Sequence, residues 1–109
     1  MNKIAQLNDQ FRQTFQGGEV LTTAGANARE DLDQIYLKVR QYDDFNEGND
    51  PYEGHDFGVF ELADGQKIFW KIDYYAKING FQVVDTGSSD PSNPEITARV
   101  LTIMLAEEY

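Results

Sequence analysis

Apolar positions near the start of the chain recur at helical spacing. Ile4, Leu7, Phe11 and Phe15 fall on one stripe, while Asn8, Asp9, Arg12 and Gln13 fall elsewhere. That pattern predicts an amphipathic helix over residues 2–15, ended by Gly17-Gly18. The β-branched run Glu19–Thr23 predicts a short strand. Leu32, Ile35, Tyr36 and Val39 then predict a second helix over residues 27–42, with Asn27 as its cap. Glu30, Asp31 and Asp33 fall in its first turns and Lys38 and Arg40 in its last, matching the helix dipole.

Past residue 56 the period changes to two. Phe57–Leu62 and Gln66–Ile78 flank Asp64-Gly65, and Asn79-Gly80 leads into Phe81–Thr86, so two hairpins form a meander. On the middle strand Ile68, Trp70, Ile72, Tyr74 and Ile78 share a core face. Lys67, Phe69, Lys71, Asp73, Tyr75 and Lys77 share the other. Phe60, Leu62 and Phe69 are expected to form an apolar patch on that second face. Such a patch would be covered by a helix or by a second chain, which makes a homodimer a candidate. Ser92 or Asn93, Pro94 and Glu95 read as the start of a last helix with Ile96, Val100, Ile103 and Met104 inward. The order α-β-α-β-β-β-α predicts a small α+β domain. In it, an antiparallel sheet is packed by three helices, mainly on one face.

At 109 residues this is one domain, 1–109, with a modest core. The chain has no cysteine, so disulfides and thiolate chemistry are excluded. The N-terminal stretch lacks the apolar core of a signal peptide. The apolar run from Ile96 to Ala106 is too short and too polar to span a membrane. These features fit a cytoplasmic protein.

Charge changes the picture most. The formal net charge is −10, and residues 41–66 hold eight acids and no Lys or Arg. The remainder holds eleven acids against nine bases, so most of the imbalance lies in one segment. A field of that sign repels phosphate and anionic membranes. It argues against direct nucleic-acid binding and for a basic protein partner or a divalent cation.

The centre of that segment, residues 43–56, reads DDFNEGNDPYEGHD. With Gly48 at the sixth position of a calcium loop, Phe45 stands at the third and Gly54 at the twelfth, so an EF-hand fails. Asp44, Asn46, Asp50 and Glu53 could still ligate calcium irregularly. A two-residue Asp64-Gly65 turn would pair Phe57 with Ile72, Val59 with Trp70 and Phe60 with Phe69. The same register sets Asp56 opposite Asp73, with Lys71 nearby: a small polar site for a metal or for hydrolysis, beside the sole histidine, His55. The alternative is a strand that frays before Asp56 and a hydrogen-bonded, structural His55. No triad, HExxH, Walker or GxGxxG pattern is present, which argues against an enzyme and names no catalytic residue. Phe45, Tyr52 and Phe57 interleave with the acids and would pin the loop to the core.

At NDPY (Asn49–Tyr52), HDFG (His55–Gly58), WKIDYY (Trp70–Tyr75) and ARVLTIMLAEEY (Ala98–Tyr109) the chain resembles the small bacterial proteins of domain-of-unknown-function family 3768. The resemblance runs from NDQFRQTF in the first helix to the C-terminus. It implies a bacterial protein, often encoded on plasmids and other mobile elements, with no activity or catalytic residue to carry over. The expectation is an accessory module that binds protein through Asp43, Asp44, Glu47, Asp50 and Glu53. Its concrete form is a nucleic-acid mimic of the antirestriction or anti-CRISPR type, with Glu30, Asp31 and Asp33 extending the ridge. The alternatives are a divalent-cation or hydrolytic site at Asp56 and Asp73, an oligomerisation role, and an acidic loop that is simply solvated.

Overall fold

The structure is a computed structural model that describes residues 2–109, apart from the Val84 side chain. Helix α1 (Lys3–Thr14) opens the chain. Asn2 caps it by accepting the Ala5 N–H at 2.7 Å, and Phe15 closes it in the left-handed region. Strand β1 (Glu19–Thr22) follows. The second helical segment is shorter than the sequence predicts and is split in two: a single turn, α2 (Ala24–Asn27), then α3 (Leu32–Arg40). Thr23, not Asn27, stands at the start of the first piece. Between the pieces Arg29 bonds both carboxylate oxygens of Asp31, at 2.8 and 3.1 Å, and Asp64 at 2.8 Å. These charged hydrogen bonds hold the Asp31 and Asp64 carboxyls below their ordinary range and tie a hairpin tip to the helices. Asp31 thus adds no free charge to an acidic ridge.

The rest is sheet: β2 (Phe57–Glu61), β3 (Lys67–Ile78), β4 (Phe81–Gly87) and β5 (Thr97–Leu105), then a short 3-10 turn over Ala106–Glu108. The predicted last helix is therefore a strand. Strand β5 lies between β1 and β3, so both its edges are paired, and residues on both its faces are buried. Leu101 and Ile103 are buried on one side and Val100 and Met104 on the other. A run that is apolar all round suits either a buried helix or an interior strand, and β-branched Thr97, Val100, Thr102 and Ile103 suit the strand. The capping signals serve a loop instead: the Asn93 side chain accepts the Glu95 N–H, and Ile96 N–H bonds the Asn93 carbonyl.

The class is α+β, but the sheet is mixed rather than antiparallel. β1 runs parallel to β5, and the other pairs are antiparallel. The order is β1-β5-β3-β2, with β4 on the same edge of the long β3 as β2. Asn79 and Gly80 both take positive φ, as a type I′ hairpin requires.

The first hairpin sits one residue out of the expected register. Gly58 faces Trp70, Val59 faces Phe69 and Phe60 faces Ile68. The loop is the three residues Ala63-Asp64-Gly65, with Gly65 at φ +89°; Leu62 bonds Gln66 at 2.8 Å and Gly65 bonds Leu62 at 2.9 Å. Burial decides between the registers. The observed one turns Leu62 into the core at 6% exposure and leaves Glu61 exposed; a one-residue slip would reverse them. The expected second-face patch accordingly dissolves. Phe60 and Leu62 join the core, and only Phe69 remains outside, against Phe57 and Tyr109.

The core packs α1 and α3 on one sheet face: Phe11, Ile35, Val39, Tyr42, Leu62, Ile68, Trp70, Ile72, Leu101 and Ile103. Trp70 is fully buried, and a Cβ on Gly58 would lie 2.3 Å from its Nε1. Backbone and indole leave no room for a methyl group there. Gly58→Ala is expected to cost about 2–3 kcal/mol by overpacking, read as a lower urea midpoint with unchanged m-value. A midpoint within experimental scatter of wild type would show that Trp70 has slack.

Candidate functional site

The acidic stretch is a loop between α3 and β2, and a polar framework orders it. The Asn46 side chain accepts the N–H groups of Gly48 and Asn49, and Asn49 returns bonds to Asn46 N–H and to the Asp44 carbonyl. The Asp50 carboxylate accepts the His55 N–H at 3.2 Å. From α1, Asn2 donates to the Glu53 carbonyl and Asn8 to the Gly54 carbonyl, both at 2.9 Å. Glu53 and His55 both hold positive φ, an uncommon state for such residues that these bonds enforce.

The aromatics divide. Phe45 pins the loop, with its ring stacked on His55 at 4.0 Å and edge-on to Tyr42. Tyr52 does not: it is 93% exposed. Phe57 faces the other side of the sheet.

His55 is held by carboxylates. Its Nδ1 lies 2.9 and 3.0 Å from the Asp9 oxygens, and Nε2 lies 3.6 Å from Asp50. Asp9 also pairs with Arg12, which is buried and donates to the Val39 and Tyr42 carbonyls. The ring is thus hydrogen-bonded on one side and stacked on Phe45 on its face.

Asp56 and Asp73 do not meet. Asp56 accepts a bond from the Tyr74 hydroxyl at 2.9 Å on the helix-covered face, and its carbonyl accepts Ile72 N–H. Asp73 stands on the opposite face, where Lys71 pairs with it at 3.2 Å. Among the described residues, no group of three or more His, Asp or Glu is placed to hold a metal. The same register change that moved Phe60 inward separated the two carboxylates.

Of the five expected contact residues, Asp43, Asp44, Glu47 and Glu53 are exposed, but Asp50 is only 9% exposed and turns inward. Beside them lies a cavity of about 490 Å³ lined by Phe45, Asn46, Glu47, Asp50, Glu53 and His55.

Sequence reasoning missed the residues that hold all this. Asn8 is fully buried and spends both ends of its amide: Nδ2 donates to Gly54 and to the Tyr74 hydroxyl at 2.7 Å, and Oδ1 accepts from Arg99 Nε at 2.8 Å. The available signal was Ala5, Asn8 and Arg12 at helical spacing, a second stripe beside the apolar one.

With this geometry in view, the family described as "Protein of unknown function (DUF3768)" matches residues 20–108. The chain belongs to this family. Neither the curated proteins nor the solved structures contain a match. The DUF3768 match takes in the whole acidic loop, Tyr74 and Arg99, and leaves out α1 with Asn8, Asp9 and Arg12. No helix among the described residues is long and apolar enough to cross a membrane.

Burial, and then the Asp56 carboxylate, raises the Tyr74 phenol above its ordinary pKa of 10.0. A raised folded-state value means stability that is whole below pH 10 and lost as pH climbs beyond it. Tyr74→Phe is expected to cost about 1–3 kcal/mol at neutral pH, by orphaning Asp56 and Asn8. It should also flatten the alkaline arm of a stability-against-pH curve from urea titrations. An alkaline arm identical to wild type would assign that arm to another group.

Proposed function

We propose that the chain is a protein-binding accessory module whose acidic loop docks on a basic partner surface. In its most specific form the loop occupies the phosphate-binding groove of a nucleic-acid-binding protein, as an inhibitor of the antirestriction or anti-CRISPR type. One observation supports the reading above others: the loop is ordered from beneath and charged on top. Phe45, Asp50 and His55 face inward, while Asp43, Asp44, Glu47 and Glu53 face solvent around an almost fully exposed Tyr52. A loop already fixed loses little conformational freedom on binding. Carboxylates steer a basic partner, and a tyrosine standing clear of the surface is a suitable anchor.

The test is charge reversal of the four exposed acids to Lys, with affinity capture from bacterial lysate and mass-spectrometric identification of the partner. The expected result is loss of the partner captured by wild type, with an unchanged melting temperature. Capture that survives all four changes contradicts the proposal. Asp50→Lys should behave differently, lowering the melting temperature because it removes the carboxylate that holds His55.

A further inference from the structure

Arg99 is a buried cation without a counter-charge. It is 4% exposed, and among the described residues no carboxylate lies within ion-pairing distance of it. Arg12, equally buried, has Asp9 at 2.9 Å. Among the described residues the Arg99 guanidinium bonds only neutral groups: Nε donates to Asn8, Nη2 donates to the Pro91 carbonyl, and Cζ lies 5.3 Å from the centroid of the Tyr74 ring. Burial lowers its pKa from the ordinary value. Nη1 donates to no described protein atom. It is not sealed off either, since Trp70 Nε1 alone among the described residues is a buried side-chain nitrogen or oxygen without a partner.

Arg99 lines a cleft of about 270 Å³ between α1 and the start of β5. Leu7, Phe11 and Pro94 supply apolar wall, and Gln10 and Thr14 supply polar wall. No Asp or Glu lines this cleft, in a chain that carries nineteen. A cation taken out of water is costly unless paired, and among the described residues none supplies a counter-charge here.

We propose that the cleft binds a small organic carboxylate, whose oxygens accept from Arg99 Nη1 and whose apolar body lies on Leu7, Phe11 and Pro94. Arginine is the side chain best suited to a planar carboxylate. A phosphate group fits less well, because it calls for several converging cationic donors and Arg99 is the one charged residue that lines this cleft. The site lies apart from the acidic loop, and the inference does not depend on the protein-binding reading.

The experiment uses the full chain and sodium benzoate as the probe, with sodium phosphate and sodium chloride at matched ionic strength. Melting temperature and amide NMR shifts are the readouts. Benzoate should raise the melting temperature saturably and move the amides of Leu7, Thr14, Gly17 and Thr97, while phosphate and chloride should do neither. Gln10→Glu leaves every Arg99 hydrogen bond in place and sets a carboxylate on the cleft wall. It should melt above wild type without ligand and bind benzoate at least about tenfold more weakly. The inference is overturned if benzoate acts no differently from chloride, if phosphate matches it, if the shifted amides lie elsewhere, or if Gln10→Glu binds as wild type does.

Discussion

The structure turns on one buried amide. Asn8 reaches from α1 to three places far away in sequence: the Gly54 carbonyl of the acidic loop, the Tyr74 hydroxyl on β3, and Arg99 on β5. A buried amide with an unmade bond costs more than a made bond gains. All three partners must therefore be in place together, and the helix, the loop and the sheet lock as a unit. Trp70 and its neighbours provide most of the apolar burial, but they do not dictate where the loop lies. Asn8 does, with help from Asp9 through His55.

That division explains how so acidic a segment can be ordered. Carboxylates at this density repel one another and favour an extended, solvated chain. Against this stand Phe45 wedged between His55 and Tyr42, Arg12 5.2 Å over the Phe45 ring, and Asp50 turned inward on the His55 backbone. The cationic and apolar contacts lie beneath the loop, and the uncompensated charge lies above it. A surface built this way is rigid and anionic at once, which is the physical content of the binding proposal.

The pattern of apolar positions was enough to place α1 and the core of α3, because each has one buried and one exposed face; β-branched content placed β1, and the Asp-Gly and Asn-Gly turns placed the two hairpins. It failed at β5, whose two faces are both buried, leaving no alternation to count. It failed by one residue at the first hairpin, because Asp-Gly serves a three-residue loop as well as a two-residue one. That single step separated Asp56 from Asp73. The acidic loop was legible as a charge run, but the inward turn of Asp50 was not. The hub could not be read because its bonds join residues 8, 54, 74 and 99, and local patterning says nothing about such distances. Asn8 and Arg12 read as solvent-facing by residue type, and only burial shows otherwise.

The central claim is that the acidic loop is a preformed surface held from α1. Amide hydrogen exchange of the wild type beside Asn8→Ala tests it most directly. The account predicts that the Gly48, Asp50, Glu53 and His55 amides, each hydrogen-bonded within the loop, exchange far more slowly than in an unstructured chain. In Asn8→Ala that protection should fall while the β3 amides from Ile68 to Ile72 keep theirs. Loop amides that exchange at unstructured rates in the wild type would contradict it.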